Sequence, residues 1–423
     1  ENTLTILWSL CTAVFVCGGM IGSFVVGWLA DKLGRRFTLM LNAGPAISGA
    51  LISFGCVYAG SPALLLVGRF ITGLSCGLFS FESPSIIKYF YMSGSMGTLS
   101  AMFISVGTVV SSFLGMKIFL GIENKWPILL ILNAVPGLVS LFTFPFLPDS
   151  PRFLMAAKKD KNKAKEALKW LRRREDITNE IEEMEKESRN QGEECSLSKM
   201  FRARELFVPL IICLALQIIK SFSGITAILF YSASIYLNAG VAVDVVQYAN
   251  LGTSFVTVVT GIVMIPLMDR LGRRILLLGP MLGMILTLIV LTVALNLKSR
   301  YPFMNYLSIA CIIIYVVLFA CGLASIPSMI PVEVFRQGPR ARAMSLAGLA
   351  SWISNAIVAM CFEIVQAATK EFIFLIFIVI MIASTIFVYL KVPETKNKTF
   401  DEIASQFKSA SRESNGEIRT VVA

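Results

Sequence analysis

The sequence predicts an all-α polytopic membrane protein, and three observations carry the prediction. Of 423 residues, 56% are hydrophobic and 15% charged, and the mean hydropathy of +0.73 is far above what a soluble domain carries without exposing apolar surface. The apolar residues are collected into eleven runs, each able to supply the roughly 20 positions that a membrane-crossing helix needs. One charged loop sequence occurs twice, 238 residues apart, which divides the chain into two related halves.

Taken in order, the runs lie at 6–29, 37–59, 63–87, 96–121, 126–147, 206–232, 246–268, 275–297, 305–331, 343–367 and 372–391. They lack the alternation of a lipid-facing barrel strand and are about twice its length, which leaves helix as the backbone that satisfies its own polar groups in hydrocarbon. The short connections set the orientation. Lys32, Arg35 and Arg36, then Lys88, then Arg270, Arg273 and Arg274, then Arg336, Arg340 and Arg342 occupy every second connection, whereas the intervening ones hold only Lys125, Lys298, Arg300 and Lys370. The positive-inside rule makes the first set cytoplasmic, with Glu1 outside and everything after Pro393 inside. The run 6–29 is not read as a signal sequence, because no basic region precedes it and it leads into the loop Asp31-Lys32-Leu33-Gly34-Arg35-Arg36.

The remaining charge is concentrated. Lys and Arg total 38 and Asp and Glu 27, a formal net charge of +11, and 28 of these charged residues fall between Asp149 and Glu205. There, Lys-rich and Glu-rich blocks alternate around Ala164, Leu168, Leu171, Ile177, Ile181 and Met184, a spacing that predicts short amphipathic helices against the cytoplasmic face. The basic excess of a polytopic chain belongs to such loops, so no nucleic-acid partner is expected. The chain has no His, and no metal-ligand cluster or nucleophile elbow appears; no metal, cofactor or enzymatic centre is expected. Cys11, Cys17, Cys56, Cys76, Cys213, Cys311, Cys321 and Cys361 lie in apolar runs and Cys195 in the insert, which reads as small core residues without a disulfide framework.

The repeat carries the most functional information. Asp31-Lys32-Leu33-Gly34-Arg35-Arg36 returns as Asp269-Arg270-Leu271-Gly272-Arg273-Arg274, and Pro148-Asp149-Ser150-Pro151 is echoed by Pro393-Glu394-Thr395-Lys396 at an offset of 245 residues. Parallel repeats about a central site are what an alternating-access carrier needs. The predicted organisation is an N-terminal half of five spans at 1–147, a cytoplasmic linker at 148–205, a C-terminal half of six spans at 206–393 and a cytoplasmic tail at 394–423.

Both loop copies, together with Gly68-Arg69-Phe70, Pro148-Asp149-Ser150-Pro151-Arg152-Phe153-Leu154, Ser223-Gly224-Ile225, Gln337-Gly338-Pro339-Arg340 and Val392-Pro393-Glu394-Thr395-Lys396, resemble the sugar porter family of the major facilitator superfamily, and within it the animal facilitative hexose (glucose and fructose) transporters. The resemblance runs from Leu7 to about Phe407 and implies the major facilitator fold, two pseudo-symmetric six-helix halves, here with the first helix missing. It implies facilitative transport of a hexose of the glucose or fructose class, or of a closely related small solute, at the plasma membrane. No catalysis is implied.

The resemblance also names residues. Asp31, Arg35, Arg36, Asp149, Arg152, Asp269, Arg270, Arg273, Arg274, Glu333, Arg340 and Glu394 fall on a cytoplasmic latch, in which acids and arginines tie neighbouring helix ends by charge-assisted bonds when that side is closed. The first half departs from the pattern: Ile86 and Ser93 stand where the family has Glu and Arg, which predicts a less favoured outward-open state. Phe230 and Tyr231 fall on the outer gate. For the substrate, the resemblance points to Gln217, Lys220, Ser221, Thr226, Thr257, Ser328, Trp352 and Asn355. Several depart from the family: Lys220 and Ser221 replace paired amides, Thr226 and Thr257 replace Asn, Ser328 replaces Trp, Ala101 replaces Gln and Ala320 replaces Glu. Lys220 is the most unusual, since an ammonium inside a span is costly. It either lies low in a hydrated cavity or pairs with an acid such as Glu82 or Glu363, or donates to a neutral sugar or polyol, or attracts an anionic solute such as urate or ascorbate. A carrier-like sensor that no longer transports is the remaining alternative.

Overall fold

The computed structural model describes residues 2–90, 98–156, 158, 160–173, 176–178, 180–182, 184, 185, 197–238, 241–297, 300, 301, 303–335, 337–369, 372–396 and 402, and among them every regular element is helical. The first half contains α1 (Asn2–Leu33), α2 (Arg35–Ala59), α3 (Pro62–Phe90), α4 (Thr98–Leu114), α5 (Trp126–Leu132) and α6 (Ala134–Thr143). The linker contributes α7 (Pro151–Ala156), α8 (Lys161–Arg172) and α9 (Leu197–Arg202). The second half contains α10 (Arg204–Phe222), α11 (Ile225–Asn238), α12 (Val243–Leu271), α13 (Arg273–Leu297), α14 (Phe303–Cys321), α15 (Ile326–Val334), α16 (Gln337–Thr369) and α17 (Ile373–Lys391).

Among the described residues, nine helical segments are long and apolar enough to cross a membrane, and the shorter apolar helices Ala101–Leu114 and Leu206–Phe222 lie in the other two predicted runs. Three runs are not single helices. The run 206–232 breaks at Ser223–Gly224, where Gly224 takes φ 91° and leaves the helical region. The run 305–331 breaks over Gly322–Ser325, and Pro327 in the first turn of α15 suits the restart of a helix. The run 126–147 is interrupted at Asn133 and closes in a 3-10 turn at Phe144–Phe146. In the run 96–121 the helix stops at Leu114, short of the predicted end, and the chain continues in turns to Gly121.

Helices in hydrocarbon gain little from burying apolar surface against one another, so close backbone approach through small residues decides which pairs pack. The α1–α3 pair shows this most clearly. A Cβ on Gly18 would lie 2.1 Å from the Phe70 carbonyl oxygen, one on Gly22 2.3 Å from that of Leu74, one on Gly73 2.0 Å from that of Phe15, and one on Gly77 2.2 Å from that of Gly19. The second half has the larger core, where Leu216, Leu277, Met281, Met284, Leu288 and Ile312 are fully buried among α10, α13 and α14.

The two halves meet chiefly along two seams, α1 against α16 and α4 against α12, with lesser contacts of α3 on α15 and α16. On the first, Ser345 Oγ donates to the carbonyls of Ser23 at 2.7 Å and Phe24 at 3.1 Å. On the second, Ser112 and Ser254 share a 3.4 Å hydroxyl contact. At the same seam Lys117 reaches Asp244 at 2.9 Å, while its N–H donates to Gln247 Oε1 at 2.9 Å. The Lys117–Asp244 pair is largely exposed and contributes little on its own.

The linker has its own small core. Ala164, Leu168, Ile177, Ile181 and Met184 of the predicted apolar stripe are buried together with Leu154, Met155 and Ala167. Leu171, the remaining member, lines a cleft with Arg35, Arg36 and Asp149 instead and so joins α8 to the start of α2.

The α1–α3 contact makes a direct prediction. Gly73→Val puts a branched side chain into the Phe15 carbonyl and is expected to lower stability by roughly 1–3 kcal/mol, read as a fall in Tm in detergent. Gly44→Ala, with nothing within 4 Å of the added carbon, is the matched control and leaves Tm within a degree or two.

Candidate functional site

A set of polar groups of the membrane interior collects at two helix breaks, and the backbone explains why. Ser328 turns its N–H to the Ser325 carbonyl at 3.2 Å, so the Ala324 carbonyl lacks the donor four residues ahead that an unbroken helix gives. Lys220 supplies one, its Nζ donating to the Ala324 oxygen at 3.3 Å. The Pro327 carbonyl is in the same position, because residue 331 is a proline with no N–H. Buried Gln217 donates to it through Nε2 at 3.2 Å. The exchange is reciprocal: Tyr315 on α14 donates its hydroxyl to the Ser223 carbonyl at the first break.

Helix α16 stands against this pair of breaks. Ser221 Oγ lies 3.3 Å from the Gln217 carbonyl and 3.4 Å from that of Ser351, and Thr226 Oγ1 donates to Asn355 Oδ1 at 3.4 Å. One residue after Ser351, the Trp352 indole meets Phe15 of α1 edge-on with ring centroids 5.8 Å apart. Gly19 of α1 lies directly beneath it, where a Cβ would come within 2.6 Å of the ring. The cluster therefore sits where the second half meets the first, half-buried at Lys220, Trp352 and Asn355.

Of the eight residues expected to line a substrate site, the structure brings Gln217, Lys220, Ser221, Thr226, Trp352 and Asn355 together. Ser328 follows Pro327 in the same restart and is half-buried. Thr257 donates to the Thr253 carbonyl of its own helix at 3.0 Å, and no hydrogen bond joins it to the cluster. The side chains of Phe230, Tyr231, Glu82 and Glu363 lie outside the described residues; among those described, no carboxylate forms an ion pair with Lys220. Phe15, Gly19 and Tyr315 were not singled out from the sequence. A tyrosine in the middle of the apolar run 305–331 was the available signal for Tyr315, and the glycine cluster at 18, 19 and 22 the signal for Gly19.

A second cluster forms at the end of the bundle that carries the basic loops. Glu394 accepts the N–H groups of Arg273 and Arg274, each at 2.9 Å, and so caps the start of α13. It can do so because Gly272, at φ 86°, has no Cβ to meet its Oε2, which would lie 2.8 Å away. Buried Arg273 donates from Nε and Nη2 to Glu333 Oε1 at 3.1 and 2.8 Å, and Glu333 Oε2 accepts from Thr395 at 2.5 Å. Lys396 reaches the Arg270 carbonyl at 2.7 Å, Arg274 the Tyr389 carbonyl, and Arg340 the Phe335 carbonyl at 3.1 and 2.9 Å. The first half has corresponding parts: Gly34, at φ 88°, leaves room for Asp149 Oδ2, which an added Cβ would meet at 2.9 Å, and Arg36 donates to the Pro145 carbonyl at 2.6 Å. Arg35 lines the cleft beside Asp149. The side chains of Asp31, Arg152, Asp269 and Ile86, and the whole of Ser93, lie outside the described residues. Each bond described here stays within one half.

Burial works to raise the Glu394 pKa, but the N–H bonds from Lys396, Arg273 and Arg274 and the Arg273 charge outweigh it and hold the carboxyl below its ordinary value.

With this geometry in hand, the comparisons with known proteins agree. The family model described as Sugar (and other) transporter matches residues 1–407. The chain is 38% identical over 409 residues to the facilitated glucose transporter member 3 of solute carrier family 2 from Ovis aries, covering 96% of this chain and 82% of that one. It is likewise 38% identical over 411 residues to member 1 from Gallus gallus, covering 96% and 84%. Among solved structures, a proton:xylose symporter of the major facilitator superfamily bound to 6-bromo-6-deoxy-D-glucose superposes with a TM-score of 0.83 at 20% identity, covering 96% of this chain and 90% of that one.

The Glu394 cap sets a pH dependence. A carboxyl whose folded pKa lies below its unfolded value stabilises fully above the unfolded value and loses that contribution as pH falls through the folded one. Stability should therefore decline from the ordinary carboxylate range downward. Glu394→Gln is expected to lower Tm at pH 7 and to flatten this acid limb, measured as Tm from pH 7 to pH 4 in both proteins.

Proposed function

The chain belongs to the sugar transporter family, and we propose that it is a facilitative carrier that moves a hexose of the glucose or fructose class, or a closely related small solute, by alternating access. Its family transports and does not catalyse. The observation that carries the reading is the polar cluster at the two helix breaks, which faces the first half across the α1–α16 seam. A sugar is neutral and rich in hydroxyls, so it needs groups that donate and accept, and an aromatic face against its ring. Asn355, Thr226, Ser221 and Gln217 offer the first, and Trp352 the second.

The mechanism follows from how the halves are held. They touch chiefly along two seams, and the substrate cluster lies at one of them, so a small rotation of one half against the other changes which end of the cluster is open. The positive charge of the short loops supports a cytoplasmic linker and tail, in a carrier of the plasma membrane. Asp149 and Glu394 seat their loops on the start of α2 and α13, so each half carries a stiff cytoplasmic end. These ends, with Asp31, Arg152, Asp269 and Arg340, form the latch of the closed cytoplasmic side. Phe230 and Tyr231, one turn beyond Thr226 on α11, stand where an outer gate would close.

Uptake of labelled hexoses into vesicles reconstituted with the protein is the test. The expected outcome is saturable uptake of at least one hexose that Trp352→Ala or Asn355→Ala reduces about tenfold or more at equal protein content, the size of one lost transition-state or binding contact. Saturable binding without uptake would make the protein a sensor, and absence of both would overturn the reading.

A further inference from the structure

Lys220 does more than its hydrogen bond requires. The structural task at the second break is to give a donor to a carbonyl that has lost its helical partner. Two carbonyls need one, at Ala324 and Pro327, and the Pro327 carbonyl receives a neutral amide from Gln217 at 3.2 Å. The Ala324 carbonyl receives an ammonium at 3.3 Å. A neutral partner does not cancel that charge, and a lysine ammonium with one bond made has two N–H donors left. The group is half-buried at the level of Trp352, to which it is joined through Ser221 and the Ser351 carbonyl. Among the described residues no carboxylate forms an ion pair with it.

The first half carries a second cation near the aromatic pair. Arg69 on α3 sits with its guanidinium 6.0 Å from the Phe15 ring centroid, and Phe15 is the ring that meets Trp352 edge-on. An aromatic face satisfies a guanidinium only in part, and no ion pair to Arg69 occurs among the described residues. Each half thus contributes a positive group near the aromatic pair, Arg69 beside Phe15 and Lys220 next to Ser221, which bonds the Ser351 carbonyl before Trp352. Cations held in a medium of low dielectric are costly unless an anion comes to them.

We infer that the site recognises a monosaccharide-sized organic anion, a sugar derivative carrying a carboxylate such as a hexuronate, with Lys220 as the residue that selects the charge. This rests on the carrier reading above and narrows its substrate. The hydroxyls of such a solute are met by the same Asn355, Thr226 and Trp352 that suit a hexose, and its carboxylate is met by the free donors of Lys220.

Paired uptake of labelled glucuronate and glucose into vesicles containing the protein tests the inference. Glucuronate uptake should be saturable and, because each molecule carries one negative charge inward, should rise when an inside-positive potential is imposed with potassium and valinomycin. Lys220→Gln, which keeps a donor for the Ala324 carbonyl, should lower the ratio of glucuronate to glucose uptake at least tenfold, and Lys220→Arg should restore most of it. Glucose uptake without glucuronate uptake, or a ratio unmoved by Lys220→Gln, overturns the inference and leaves the carrier reading standing. If neither solute is transported, the carrier reading falls, and thermal shift in detergent decides the inference separately: stabilisation by glucuronate that Lys220→Gln abolishes supports it, and no stabilisation overturns it.

Discussion

Hydrocarbon offers no hydrogen bonds, so each backbone N–H and C=O inside the bilayer must find its partner within the protein. An unbroken helix meets that demand automatically. Two of the interrupted membrane runs break at Ser223–Gly224 and at Gly322–Ser325, and these breaks, together with Pro331, leave carbonyls that something must meet. The donors come from the other broken helix: Lys220 and Gln217 serve Ala324 and Pro327, and Tyr315 serves Ser223. The cluster proposed to bind the solute is therefore also a place where the fold needs polar side chains. Those side chains can face a solute because the backbone already required them there.

The same economy appears at the ends of the bundle. A helix start exposes N–H groups that favour an anion; in the second half Glu394, brought back from the exit of the last span, accepts them at the start of α13, and in the first half Asp149 lies beside the turn before α2. In both cases the enabling residue is a glycine at positive φ, Gly34 and Gly272, that leaves space for the acid. The two sequence echoes, at offsets of 238 and 245 residues, are thus the two sides of one contact. In the second half Arg273 and Glu333 extend it, and the buried pair is completed by Thr395.

Much of the fold was legible because it is written in composition. Runs of about 20 apolar residues have few alternative structures, and the repeated loop displayed the two halves directly. The breaks were not legible, since Ser-Gly and Gly-Leu-Ala-Ser are unremarkable inside an apolar run and the polar signal lies a turn or more away, at Gln217, Lys220 and Tyr315. Those residues drew attention as solute ligands or not at all, while their bonds to freed carbonyls depend on which helix stands opposite, something that spacing along one helix does not encode. Gly19 and Phe15 escaped for the same reason: a glycine beneath an indole 333 residues away in sequence is a property of the α1–α16 crossing.

The Glu394 cap also has a meaning for how the protein is made. Its carboxylate accepts N–H groups that lie 121 and 120 residues earlier in the chain. The start of α13 is synthesised and enters the membrane while its acceptor is still untranslated, and four further spanning or half-spanning helices must pass the ribosome before the acid arrives. The second half is in this sense a ring, closed by one carboxylate at the last moment of its synthesis. A nascent chain halted before residue 394 holds every membrane helix of that half with the clasp still open.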